Sequence, residues 1–353
     1  MNFLPVGSGP YRVIGKPTTQ RVQLERWEGY RGPHPGQATG FDLWDATAEK
    51  KQLLEAFLQE RVHLMHLTTI DNLPFYLVRK GVQGAGFVQT MTVPQAAFQA
   101  YFLNCDPKRS LLGDLALRQA LFELVPWKDL ARAQRFFPKR LATGFWPPES
   151  WAFDAEARPL PQIEKAASIL ESAGWKLGPD GIRQDARGRR LVLLAFEPAP
   201  LAKRSPVGRL AAQAARVGIK IEIRALPFNE LTVKAARHEG DLWQFAWTLS
   251  LDPDVDSPLF TREGYRTKAN ISSYLNPEVD RLFDEGRYTL DMEARKRIYL
   301  QLSEIIYRDK PIIPIDYNQA RVIAHRRLKG VSFNLLGNTF GFWPGRRGWR
   351  LEN

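Results

Sequence analysis

The chain has a single cysteine, Cys105, in 353 residues. That excludes an intrachain disulfide and any cysteine-based metal site. It leaves the compartment open, because exported proteins built without disulfides share the feature with cytosolic ones. No apolar run approaches the roughly 18 residues of a membrane span. Histidine is scarce, with five. His63 and His66 lie three apart on a strand-like segment, so their side chains point to opposite faces and do not share a metal. His238-Glu239 lacks the second histidine of a zinc-protease helix. No Ser-x-x-Lys, Gly-x-Ser-x-Gly or P-loop occurs, and Gly84-Ala85-Gly86 is too short for a dinucleotide fingerprint. Met1 to Pro10 has neither a basic n-region nor an apolar h-region. No motif for an enzyme is left, and no cofactor or metal is expected.

Apolar residues and positive charge are plentiful. Hydrophobic residues make up 44%, enough for a real core. The length allows two domains or one large one. A net charge of +12 is compatible with nucleic acid or an anionic membrane surface. The basic residues, however, fall in small scattered groups: Arg187/Arg189/Arg190, Lys203/Arg204, Arg295/Lys296/Arg297, Arg326/Arg327 and Arg346/Arg347. Such scatter reads as a solvated surface, so no nucleic-acid partner is expected.

Periodicity divides the chain into alternating strands and helices. Pro5 to Pro10 is a glycine-rich turn into a strand at Tyr11, Val22 to Arg26 alternates as a second strand, and Arg31 to Gly40 reads as a loop. Ala46 to Gln59 has helical spacing, and Val62 to Leu67 and Ala97 to Leu103 read as strands. Asp114 is placed to cap a helix bearing Leu117, Leu121 and Leu124. The prolines at 138, 147, 148, 159 and 161 mark an irregular crossing, after which Pro161 opens a helix that Gly174 stops. Residues 191–247 are the clearest unit. Strand Leu191–Phe196 leads to a helix capped by Ser205 with Pro206 first and Gly218 after it. Strand Ile219–Ile223, a helix near 228–237 and strand Leu242–Trp247 follow. This alternation implies a right-handed parallel α/β sheet. Ligands bind beyond the carboxyl ends of strands in such sheets, and Trp247 to Asp256 lies at such an end. Asn276 and Asp291 cap two further helices. Two short strands, Ile312–Tyr317 and Arg321–His325, close the region.

These segments, in this order, resemble the oligopeptide/dipeptide/nickel-type solute-binding proteins of ABC importers, family 5. Gly7-Ser8-Gly9-Pro10-Tyr11 is similar to that family's GTGPY turn. Leu24 to Tyr30 resembles the strand after it, with Trp27-Glu28-Gly29 departing. Asn104 with Asp114 to Ala120, Ala166 to Trp175, and Tyr274 to Asp280 resemble three later motifs. The resemblance implies a periplasmic-binding-protein-like α/β fold of two lobes joined by crossing strands and closing by hinge motion. Residues 1–98 and 328–353 are then expected in the first lobe and 99–327 in the second. In that family an N-terminal portion precedes the GTGPY turn, so the first lobe is expected to be incomplete, by roughly the first third of a typical member, signal peptide included.

The resemblance further implies a monomeric receptor, periplasmic or anchored at the cell surface. It would capture a peptide or similar small solute and deliver it to a membrane permease. The alternative is the ligand-sensing domain of a transcriptional regulator whose DNA-binding module precedes this chain. In peptide-binding members an aspartate shortly after the motif tryptophan pairs with the ligand's α-ammonium. Here that register holds Ser250, with Asp252 and Asp254 just beyond. The expected ligand contacts are Trp247 as a stacking or apolar wall, Thr248, Ser250, Asp252, Asp254, Asn104 and Tyr274. Each also has a structural reading: core packing for Trp247 and a solvated, Asx-capped turn for Asp252, Asp254 and Asp256.

Overall fold

The computed structural model describes residues 7–45, 50–67, 81–82, 85–127, 129–130, 140–142, 144–154, 162–250, 252–331 and 345–352. The expectations at Pro5, Val6, Gly84, Leu251, Pro138, Pro159, Pro161 and residues 46–49 lie outside these, as do 332–344 of the expected C-terminal return.

In chain order the strands are β1 Tyr11–Ile14, β2 Arg21–Arg26, β3 Gly40–Trp44, β4 Leu64–Leu67, β5 Val88–Leu103, β6 Arg140–Leu141, β7 Lys176–Leu177, β8 Arg183–Gln184, β9 Val192–Pro198, β10 Lys220–Leu226, β11 Leu242–Thr248, β12 Ile312–His325, β13 Leu328–Lys329 and β14 Arg350–Leu351. The helices are α1 Lys50–Leu58, α2 Leu115–Glu123, α3 Ile163–Ser172, α4 Pro206–Ala215, α5 Phe228–Ala236, α6 Arg262–Arg266, α7 Pro277–Tyr288 and α8 Met292–Asp309. The chain divides into two compact units, residues 1–95 with 319–353 and residues 96–318. Both crossings fall inside the long strands β5 and β12.

In the first unit β1, β2 and β3 form an antiparallel sheet. Strand β3 was not expected after the Gly/Pro loop. Its Phe41 explains it, packing edge-on against Tyr11 with centroids 4.8 Å apart while its backbone pairs with Leu24. Strand β4 pairs with the end of β12, and β13 pairs with β14. The His63 carbonyl accepts from the His325 amide at 2.8 Å, and its ring meets the His325 ring edge-on.

In the second unit the strand order is β10-β9-β11-β5-β12, with β6 on β12. Strands β10, β9 and β11 are parallel, as the alternation of elements required. Strand β11 runs antiparallel to β5, so the sheet is mixed, not wholly parallel. Helix starts follow the capping residues. Asp114 accepts from the Ala116 amide, Ser205 from Gly208, Asn276 from Glu278 and Asp291 from Ala294, at 2.6–3.0 Å. Gly218, at φ +83°, ends the turn after α4 where a Cβ would come within 2.7 Å of Leu177. The two short strands expected over 312–325 are one. Strand β6 pairs with its first half and β4 with its last, so the polar Asn318-Gln319 does not interrupt it.

Both faces of this sheet are covered. One carries an aliphatic core of Leu103, Leu193, Ala195, Leu242 and Ile315 against Leu117 and Leu121 of α2, Ala166 and Leu170 of α3, and Val207 and Leu210 of α4. The other carries rings: Phe98, Phe145, Trp146, Phe260, Phe283 and Tyr299, with successive centroids 4.6–6.3 Å apart.

Candidate functional site

Strand β11 sends alternate side chains to these two faces. Trp243, Phe245 and Trp247 point to the ring side, and Trp247, half-buried, lies 6.2 Å from the Phe102 ring. Leu242, Gln244, Ala246 and Thr248 point to the other side. There burial stops along the strand: Leu242 and Gln244 are buried, whereas Ala246 and Thr248 are exposed. The antiparallel register sets Gln99 opposite Ala246 and Ala97 opposite Thr248, both half-buried. The carboxyl end of β11 is therefore an open shelf of Ala246, Thr248, Ala97 and Gln99. Trp247 and Thr248, adjacent in sequence, do not share it. Gln99 was missed by sequence reading, and only its position in the alternation of β5 signals it.

After Leu249 and the half-buried Ser250, Asp252 caps a 3-10 turn, Pro253–Leu259, by accepting from the Asp254 amide at 3.0 Å. The Arg295 guanidinium donates to both Asp252 oxygens at 2.8 Å, to the Gly286 carbonyl at 2.8 Å, and lies over the Trp151 and Tyr299 rings. Partial burial works to raise the Asp252 pKa, but the Arg295 bonds, the Asp254 amide and the guanidinium charge outweigh it and hold the carboxyl below its usual range. Asp254 accepts from Arg287 at 3.0 and 3.3 Å and from the Tyr299 hydroxyl at 3.2 Å. Both carboxylates thus fasten the loop to α7 and α8.

Asp256 differs. It is 4% exposed and accepts from Trp146 Nε1 at 3.4 Å and from the Ser250 backbone. Burial pushes its carboxyl up to about 7 against those two bonds, with the Asp252 charge adding to the rise. Ser250 thus contributes its amide to a buried acid.

Asn104 and Tyr274 lie away from the shelf. Asn104 is fully buried; its Nδ2 donates to the His238 and Gly240 carbonyls at 3.2 and 2.9 Å, and its Oδ1 accepts from the Asp106 amide at 3.2 Å. Tyr274 donates to Asp309 at 2.6 Å and accepts from Asn276 at 3.0 Å. Among the described residues no group of three histidine, cysteine, aspartate or glutamate side chains is arranged for a metal.

Comparison with known proteins follows the same outline. The sequence model for bacterial extracellular solute-binding proteins, family 5 Middle, matches residues 2–268. The chain is 26% identical over 244 residues to "Probable di/tripeptide-binding protein 5" of Pseudomonas aeruginosa, covering 68% of this chain and 44% of that protein. It is 22% identical over 346 residues to the peptide transport periplasmic protein SapA of Haemophilus influenzae, covering 95% of this chain and 57% of that one. The chain thus spans about half the length of the curated relatives it matches. Among solved structures, the ABC transporter substrate binding protein CtaP of Listeria monocytogenes superposes with a TM-score of 0.81 at 20% identity, over 100% of this chain and 68% of that one.

Two outcomes are expected. Asn104→Ala leaves three backbone partners unpaired, one buried and two part-buried, and should cost about 2–3 kcal/mol in urea unfolding. A near-neutral Asn104→Ala would remove its structural assignment. Asp256 has a folded pKa above its unfolded value, so the unfolded chain ionises first as pH rises, and stability falls between the two values. The wild type should lose about 2 kcal/mol on going from about pH 5.5 to about pH 8.5 relative to Asp256→Asn. Parallel pH profiles for the two proteins would contradict the buried, protonated Asp256.

Proposed function

This chain belongs to the bacterial extracellular solute-binding proteins, family 5, and we propose that it acts as the solute receptor of an ABC importer, taking a peptide or similar small solute and passing it to a membrane permease. The observation that carries the reading is the family match over residues 2–268, which contains the β11 shelf and the loop after it. The relatives named above are a peptide transport protein and a di/tripeptide-binding protein, which favours a peptide and favours the receptor over the sensing domain of a regulator. The family's extracellular character supports a location outside the cytoplasmic membrane. Capture, not catalysis, is the role assigned, with one copy of the chain as the working unit.

The shelf suits an extended ligand. Thr248 and Ser250 offer hydroxyls and a strand end offers backbone groups, the means by which peptide main chains are held without reading each side chain. Trp247 backs the shelf from the opposite face and fixes the strand. We assign Asp252 and Asp254 to holding the loop, because an incoming ammonium would have to displace a bidentate guanidinium from Asp252. Asn104 and Tyr274 are assigned to the scaffold.

Isothermal titration of the full-length gene product against a peptide library tests this. Some peptides should give heat, and Thr248→Trp, which fills the exposed shelf at little cost to folding, should weaken them about tenfold or more. Silence across the library would sink the peptide reading. Unchanged affinity in Thr248→Trp would move the site off the shelf.

A further inference from the structure

Strand β10 is the outermost strand of the second unit's sheet, and among the described residues no strand pairs with its outer edge. The Lys220 amide donates to the Leu191 carbonyl at 3.0 Å, so Lys220 turns its main-chain groups toward β9. With the period of two along a strand, Glu222, Arg224 and Leu226 do the same, and Ile221, Ile223 and Ala225 turn theirs outward. Among the described residues none of these outward amides and carbonyls meets a backbone partner. The edge lies open over its middle, where Glu222, Ile223, Arg224 and Ala225 are all exposed. Such an edge takes up another strand by main-chain hydrogen bonds unless its side chains forbid it.

Charge is the usual guard of an edge. Here it alternates in sign. Lys220, Glu222 and Arg224 share the face opposite to Ile221, Ile223 and Ala225. Lys220 pairs with Glu222 at 2.6 Å within the strand, whereas Arg224 makes no ion pair or hydrogen bond among the described residues. Consider a second β10 laid antiparallel across the edge, with a two-fold axis at Ile223. Ile223 then faces its own copy and Ile221 faces Ala225, so the residues with outward groups become the hydrogen-bonded pairs. Glu222 faces Arg224, and by symmetry Arg224 faces Glu222, at the positions between, where side chains approach most closely. Parallel copies in register would instead set Lys220, Glu222 and Arg224 each against itself. Moving the axis two residues either way runs the strand onto Gly218, at φ +83°, or onto Pro227, which has no amide to give. The flank is also narrow. On α4, Gly208, Ala212 and Ala215 recur on one helical face, Ala212 and Ala215 are exposed, and a Cβ at Gly208 would lie 4.0 Å from the Ile223 side chain.

We propose that the outer edge of β10 is a docking surface for a second copy of this chain, the two strands pairing antiparallel about Ile223 with Glu222 and Arg224 matched across the two-fold axis. The pairing is isologous, so it closes at a dimer and does not propagate. It lies two strands away from the β11 shelf, so each copy keeps its own shelf and capture stays the work of one copy. The inference does not depend on the receptor reading. A single strand pair covers less area than a standard interface, which sets the expected dissociation constant on the order of 10 μM.

Sedimentation equilibrium of the full-length protein, from about 1 to about 200 μM, tests this. The wild type should pass from monomer to dimer across that range, and added salt should weaken the dimer. Arg224→Glu and Glu222→Arg each set like charges together at two symmetric places and should weaken it about tenfold or more. The double variant, Glu222→Arg with Arg224→Glu, restores opposite charges and should return to within about threefold of the wild type. Ile223→Pro removes an outward amide that β9 does not use and should abolish the dimer. Melting curves of each variant confirm that it is folded, and the charge variants suffice if Ile223→Pro is not. A wild type that stays monomeric throughout overturns the proposal. So does a dimer that Arg224→Glu and Glu222→Arg leave unchanged. A double variant as weak as the single ones overturns the antiparallel register.

Discussion

The second unit depends on one constraint, that its central sheet is covered on both faces. Each strand must then be apolar on both sides wherever it lies beneath a helix or a ring cluster. In β11 the residues Leu242 and Trp243, and Leu103 and Phe102 beside them in β5, meet that demand. Further along, the ring side stays covered through Phe245 and Trp247, while the other side opens at Ala246 and Thr248. The open shelf lies where coverage ends on one face only. A strand end held on its far side by aromatic packing can present polar groups on its near side without loosening.

The loop beyond the strand is fixed differently. Its carboxylates are not a solvated turn, since Arg295 and Arg287, from α8 and α7, reach back to Asp252 and Asp254. The Asp252 side chain is 44% exposed and that of Arg295 14%, so solvent screening trims the Coulomb gain and the bidentate geometry carries most of the order. Because the Asp252 pKa is depressed in the folded protein, its contribution is present above the unfolded pKa and fades as pH falls through the folded one. Asp256, four residues on, has the opposite sign because it has exchanged solvent for an indole and an amide, with no guanidinium bonded to it among the described residues. Composition alone makes these two aspartates equivalent. Which helix lies above each one separates them.

That difference marks how far the sequence could be read. Local chemistry was legible. Asp114, Ser205, Asn276 and Asp291 cap the helices assigned to them, and the alternation over 191–247 led to the parallel β10-β9-β11 strands. Strand β3 was hidden because its Phe41 is held by Tyr11 of β1, about 30 residues away in sequence, not by a neighbour within the strand. The continuity of β12 was hidden because it depends on β4 and β6, far off in sequence. At the candidate site, Trp247 and Thr248 were expected together as ligand contacts at a strand end, and the period of two puts them on opposite faces. Arg295 appeared only as one of a basic cluster, since nothing within a few residues announces a partner at Asp252.

The same reasoning bears on how such a surface could be both tolerant and selective. Amide and hydroxyl groups at the mouth, Gln99 and Thr248, each donate and accept, so they suit many ligands about equally and discriminate little. Charge placed at the mouth would be screened by solvent and would also discriminate little. Charge placed deep is strong, because the surrounding medium screens it less, and costly, because it must be matched whenever it is buried.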